Sequence, residues 1–200
     1  MDIQKEIIRK VFHIVSILAL LIPLEMFGKY SISVLMGIML LVFFPITFFN
    51  IRNKFTWFFW KLLEFVERDF NWEKLPARQA FSLAFGLLFS SLFFPQKIVE
   101  VAIVCVAVYD GFSTIFGITL GKHKIQILGF KLRKSYEGSF AGFFFNTLAL
   151  IFFVPFYQAV ILSFITGIIE LFGSNKVWYL DDNILIPIFV SISAYFLGVH

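Results

Sequence analysis

Seven stretches of this chain are nearly free of charge, and each is close to the thickness of a bilayer. They cover 11–27, 31–50, 79–95, 98–117, 139–155, 157–173 and 184–199. About 20 predominantly apolar residues carry an α-helix across a hydrocarbon core. Composition agrees. Of 200 residues, 60% are hydrophobic, 15% are charged and 30 are Phe, whereas soluble domains are about 45–50% apolar and about 25% charged. The expected fold is all-α: one polytopic membrane domain over 1–200, with about seven transmembrane helices. No small-residue cleavage site follows the apolar run after His13, so that run reads as the first span and not as a leader. The 157–173 span holds Glu170, which also permits a half-buried helix there.

The basic residues set the expected sidedness. Lys5, Arg9 and Lys10 precede the first span. Arg52, Lys54, Lys61, Arg68, Lys74 and Arg78 fall between the second and third. Lys122, Lys124, Lys131, Arg133 and Lys134 fall between the fourth and fifth, and Lys176 between the sixth and seventh. Only Lys29 and Lys97 remain for the opposite side. The positive-inside rule then puts the N-terminus and these loops in the cytoplasm, with the protein integral to the cell membrane. The net charge of +4 suits anionic lipid or phosphates without choosing between them.

Two loop regions have structure of their own. Residues 54–70 mix Trp and Phe with spaced charges and read as an interfacial helix anchored by Trp57 and Trp60. Asn71 to Pro76 is a break, with Pro76 expected in the first turn of the third span. Around Gly129-Phe130, the flanks KIQIL and KLRKS alternate at period two, which predicts a short cytoplasmic hairpin-like loop. The single Cys105 reads as a small packing residue. His123 and His200 read as surface residues.

Chemistry concentrates between Tyr109 and Gly142. Asp110 stands well inside an apolar span, where a carboxylate is costly and usually faces the bundle interior or a water-filled cavity. Ser113, Thr114, Gly117 and Gly121 follow on roughly the same side as a groove of small residues. Helix packing with Asp110 paired to a base is the plain alternative; Mg²⁺ held against phosphates is the functional one. Gly121-Lys122 and Lys134-Ser135-Tyr136-Glu137-Gly138-Ser139 supply point charges and close backbone approach for phosphate oxygens. Glu137 also suits the positive start of the fifth span. The pattern is not a P-loop, because His123 stands where Ser or Thr must follow the lysine.

Three further constellations lie outside this stretch. Glu6, Arg9, Lys10 and His13 share one helix face at i, i+3, i+4 and i+7. A Glu6–Lys10 surface pair would explain part of it, and phosphate binding would explain His13 as well. Glu170 continues a polar stripe from Ser163, Thr166 and Gly167, either as a functional acid or as a snorkelling one. Asp181-Asp182-Asn183 precedes the last span. There Asp182 or Asn183 could cap the helix, or Asp182 could supply a Mg²⁺ ligand, with Arg78 as a further candidate base. No zinc spacing, nucleophile elbow or nucleic-acid signature occurs.

In this order, these residues resemble the membrane family of CTP-dependent lipid-alcohol kinases, which includes dolichol kinase, phytol kinase and the yeast-type diacylglycerol kinase. Phosphatidate cytidylyltransferases are more distant kin. The resemblance rests on Glu6-x-x-Arg9-Lys10-x-x-His13, on Asp110-Gly111 through Gly117 and Gly121-Lys122, and on Lys134-Ser135-x-Glu137-Gly138-Ser139. Glu170, and Asp182-Asn183 followed by Pro187, complete it. It implies transfer of the γ-phosphoryl group of CTP to the hydroxyl of a membrane lipid: a polyprenol, a phytol-like isoprenoid or a diacylglycerol. By the same resemblance Asp110, with Glu137 and Asp182, would hold Mg²⁺. Lys122, Lys134 and Arg9 would grip phosphates, and a carboxylate or His13 would accept the alcohol proton. A cytidylyltransferase forming a CDP-lipid is the nearest rival, and a small transporter using Asp110 and Glu170 as a relay is the second.

Overall fold

A computed structural model describes residues 3–66, 76–127, 130–173 and 181–200. Arg68, Lys74, Gly129, Lys176 and nearly all of the 71–76 break lie outside the described residues, as do the side chains of Lys131 and Arg133. The described chain is nearly all-α. In order it runs α1 (Ile3–Leu18), α2 (Leu21–Phe27), α3 (Lys29–Ile38), a π-helical turn (Met39–Phe43), α4 (Phe44–Phe48), α5 (Trp57–Val66) and α6 (Arg78–Phe93). It continues with α7 (Gln96–Val104), a second π-helical turn (Cys105–Tyr109), α8 (Asp110–Thr119), β1 (Lys124–Ile127), β2 (Phe130–Ser135), α9 (Tyr136–Leu150), α10 (Phe156–Phe172) and α11 (Asp182–Phe196). Among the described residues, three continuous helical segments are long and apolar enough to cross a membrane: Ile3–Phe27, Lys29–Phe48 and Gln96–Thr119. Arg78–Phe93, Phe156–Phe172 and Asp182–Phe196 are apolar but shorter.

Helix boundaries differ from the sequence expectation in instructive places. The first helix begins at Ile3, so the polar face from Glu6 to His13 and the apolar run after it are one continuous helix. Pro76 is not in the first turn of α6. Ala77 intervenes with φ 62°, and the helix starts at Arg78. A left-handed alanine is uncommon and marks a chain turned against its preference. The hairpin forms as expected, antiparallel, with Lys124 opposite Ser135 and Ile127 opposite Phe130.

The α7–α8 helix is the axis of the molecule. Every residue from Ile98 to Gly111 is buried, and α1, α2, α6, α9, α10 and α11 pack around it or its π-helical turn. Outward faces are aromatic and aliphatic. Phe140, Phe144 and Leu148 on α9 form one exposed stripe at i, i+4, i+8, the spacing of a single helix face. Among lipid tails, helix association relies on close backbone approach and interhelical hydrogen bonds more than on hydrophobic burial. Both devices are present. Asn146 donates to Ser163 at 2.9 Å, and Ser191 donates to Ser90 at 2.9 Å. Pro187 interrupts the ladder of α11 and cannot bond Asn183 O; α6 comes closest there, where a Cβ on Gly86 would lie 2.9 Å from that carbonyl oxygen.

The tightest crossing joins α8 to α9. A Cβ on Gly138 would meet Ser113 O at 2.5 Å and Gly117 Cα at 2.9 Å, both backbone atoms. Gly138→Ala is therefore expected to push the two helices apart at a cost of about 1–3 kcal/mol, read as a lower unfolding midpoint in detergent. Gly37 has nothing within 4 Å of its Cβ position, so Gly37→Ala is the control and should be neutral or mildly stabilising.

Candidate active site

One end of the bundle gathers the middle of α1, the first turns of α6, α8, α9 and α11, and the last turn of α10. Each contributes a polar side chain from within an otherwise apolar element, and two buried ion pairs form the centre. Lys10 Nζ of α1 lies 2.5 Å from Asp110 Oδ2. His13 Nε2, one turn along the same face, is 3.2 Å from that oxygen. Thr114 donates to the other oxygen, Oδ1, at 3.3 Å. Lys134, at the end of β2, pairs with Glu170 of α10, and Ser113 of α8 donates to the same carboxylate oxygen. The expected Glu6–Lys10 surface pair is not made: Glu6 holds Arg9, and Lys10 crosses to Asp110. Glu170 does not snorkel; it is 0% exposed.

The two pairs belong to one electrostatic unit. Burial disfavours the charged form of Lys134, yet Glu170, then Asp110 and Asp182, outweigh it and raise its pKa above the ordinary lysine value. Lys134 is thus a fixed cation within reach of three acids drawn from α8, α10 and α11.

The α11 start forms a second polar group beside this centre. Asp181, and not Asp182 or Asn183, is the N-cap, its Oδ1 accepting from Asn183 N at 3.1 Å. Asp182 packs against Gly173 at the end of α10. Arg78 acts electrostatically on Asp181, while its Nε and Nη2 are buried without a hydrogen-bond partner. Ser82, one turn along α6, also has an unpaired buried hydroxyl. Burial and the neighbouring Asp182 push the Asp181 carboxyl up to about 6. The folded state then holds this proton more tightly than the unfolded chain, whose carboxyl titrates near the ordinary aspartate value of 3.8. Stability is fully present below the unfolded value and falls as pH rises through the window from 3.8 to about 6, by about 3 kcal/mol. Asp181→Asn keeps a good cap and should flatten this slope in unfolding measured with chelator present.

The loop residues divide. Glu137 lies in the first turn of α9, as its expected place at a helix start required, but it turns toward the loop. It accepts from His123 N at 3.1 Å and meets His123 Nδ1 at 2.6 Å. Its own backbone N–H and the His123 ring lower its pKa to about 2. Ser135 caps α9 by accepting from Gly138 N at 3.2 Å. Gly117, Gly121 and Gly138 do not form an open groove. A Cβ on Gly121 would meet Gly117 O at 2.2 Å and Ser135 Oγ at 2.6 Å, so these glycines are spent on close packing that fixes the loop. Lys122 is exposed beside His123 at its tip. Ser139 has a buried hydroxyl without a partner, and its carbonyl accepts from Tyr109 Oη at 3.1 Å.

Two contributors were not read from sequence. Tyr109 stands next to Asp110, and its hydroxyl end fills the space against Gly167. The π-helical turn Cys105–Tyr109 ends directly before Asp110; such turns frequently mark functional sites, but no residue pattern announces one. Ser113 was legible only as a small residue, not as the partner of Glu170.

The donor set suits a hard divalent cation. Glu170 Oε2 and Asp181 Oδ2 are buried oxygens with no hydrogen-bond partner, beside Asp182 and Asp110. Among the described residues no three His, Cys, Asp or Glu side chains converge as a complete metal cage. Mg²⁺ does not require one, since it is commonly held by one or two carboxylates together with substrate phosphates and water.

No protein-family model matches this chain, and no match was found among curated proteins or solved structures.

Proposed function

We propose that this chain is a CTP-dependent lipid-alcohol kinase, crossing the cell membrane about seven times with its N-terminus and polar centre on the cytoplasmic side. The observation that carries this reading is the convergence of Lys10, His13, Asp110, Lys134 and Glu170 at one end of an apolar bundle. They come from four separate elements and include two buried cation–carboxylate pairs. Phosphoryl transfer asks for positioned cations around the phosphates and a group to take the nucleophile's proton, with little covalent work for the protein. The lysines supply the first and His13 or a carboxylate the second.

In the proposed reaction the lipid hydroxyl oxygen forms a bond to the γ-phosphorus of CTP. The bond from that phosphorus to the β-bridging oxygen breaks, and CDP leaves with the electron pair. His13, oriented by Asp110 at Nε2, takes the hydroxyl proton on its other ring nitrogen, Nδ1. Lys134 and Lys10 exchange part of their carboxylate contact for phosphate oxygens. Arg9 and Lys122 extend the same positive field to the rest of the triphosphate. Asp110 and Asp182 are the residues that would hold Mg²⁺, with the free oxygens of Glu170 and Asp181 close behind. When bound, Mg²⁺ would neutralise charge on the phosphates. Glu137 acts here by fixing the Gly121–His123 turn through His123. Arg78 presents two unpaired N–H groups to any phosphate that reaches α6. Asn183, Gly138 and Ser139 shape the helix starts that face the centre.

A lipid panel tests the reading. Purified protein in vesicles, given γ-labelled CTP and Mg²⁺ with polyprenol, phytol or diacylglycerol, should move label into the lipid extract with at least one of these alcohols. No label in any lipid, together with no nucleotide binding, would favour an ion-relay transporter instead.

A further inference from the structure

We propose that the groove between the Asn50–Thr56 turn and α5 is a binding site for the phosphodiester headgroup of an anionic phospholipid, separate from the phosphate-handling centre. The groove has a volume of about 740 Å³ and, among the described residues, is lined by Arg52, Lys54 and Lys61 with Glu64 as the one acid. Two of the cations are seated on aromatic faces. The Arg52 guanidinium carbon is 4.5 Å from the Trp60 ring centre, and Lys61 Nζ is 4.9 Å from that of Trp57. Contacts of this kind hold a cation in place, and Arg52 Nε also donates to Asn50 Oδ1 at 3.0 Å.

The turn is built before any ligand arrives. Asn53 Oδ1 accepts from Phe55 N at 3.0 Å and Thr56 N at 2.9 Å. Trp60, expected to be an interface anchor, is instead buried and donates to Ile51 O at 2.8 Å. It locks the turn onto α5, leaving Trp57 as the exposed anchor. Trp60 and Leu63 in turn pack with Ala77, just before α6, and with Phe81 of α6, so the groove rides on the bundle.

The rim identifies the occupant. Phe55 is 95% exposed and Phe58 70% exposed, with Leu62 also open. A soluble polyphosphate would leave this rim in water. A phospholipid places its phosphate among the cations, its glycerol region at Trp57, and its acyl chains along the phenyl rings, the arrangement of interfacial helices on anionic bilayers.

This inference depends on the membrane placement proposed above but not on the kinase reaction, and its test uses no nucleotide turnover. The full chain is taken from vesicles of mixed phosphatidylglycerol and phosphatidylcholine, and retained lipid is counted by native mass spectrometry. The native protein should prefer phosphatidylglycerol. The double variant Arg52→Gln/Lys61→Gln should lose preference by about fivefold per cation removed, while Lys5→Gln, an exposed cation on α1, should keep it. Equal preference in the double variant would overturn the proposal. So would an equal loss in Lys5→Gln, which would mean bulk charge only, or displacement of the lipid by inorganic phosphate.

Discussion

Asp110→Asn is expected to reduce phosphoryl transfer by about 10²–10³-fold, the range seen when one charge-stabilising group is removed from a preorganised site. The substitution keeps the size of the side chain and can keep the bond from Thr114 to Oδ1. It removes the negative charge that Lys10 and His13 share at Oδ2. His13 then loses the group that orients its ring, and a proposed Mg²⁺ ligand is lost with it. The amide is the same size as the carboxylate and can still accept from Lys10, so the fold should survive. Single-turnover transfer measured beside nucleotide binding separates the effects: binding should weaken far less than chemistry. Equal loss of both would make Asp110 a packing partner of Lys10 and nothing more.

Glu170→Ala is expected to have the largest effect on stability, about 3–5 kcal/mol. Glu170 is wholly buried on α10 and takes hydrogen bonds from both Lys134 and Ser113. Its loss strands the Lys134 ammonium where water cannot reach it well. The paired substitution Lys134→Met/Glu170→Leu removes both charges together. Replacing a buried ion pair with apolar residues of similar volume is often neutral or stabilising, so this variant should recover most of the midpoint lost in Glu170→Ala. It should remain without transfer activity, because the phosphate-facing cation is gone. A double variant as unstable as the single one would show that Lys134 and Glu170 are held in place by something other than each other.

The nearly all-α architecture was legible because long apolar runs are properties of single stretches of chain. Asp110 and Glu170 were legible for the same reason: an acid in an apolar helix calls attention to itself wherever it points. Pairing was not. Lys10 is drawn to Asp110 and away from Glu6 because the α1–α8 contact brings a buried carboxylate within reach. Lys134 finds Glu170 only because β2 returns the chain to the end of α10. The glycines show the opposite failure. Gly117, Gly121 and Gly138 read as room for a ligand, and the fold uses that room for the α8–α9 crossing. Glu137 was placed correctly at a helix start, but the His123 contact that turns it away depends on the hairpin register. Trp60 looked like Trp57 in sequence; the Ile51 carbonyl and the α6 face separate them.

The central claim is transfer of the terminal phosphoryl group of CTP to a lipid hydroxyl, and CTP labelled separately at the α- and γ-phosphorus tests it most directly. Incubated with vesicle-borne protein, Mg²⁺ and either the lipid alcohol or its lipid phosphate, the γ-label should enter the lipid only with the alcohol, leaving the α-label in free CDP, and this transfer should be lost in Asp110→Asn. Appearance of the α-label in the lipid with release of pyrophosphate would contradict the claim and make the protein a cytidylyltransferase.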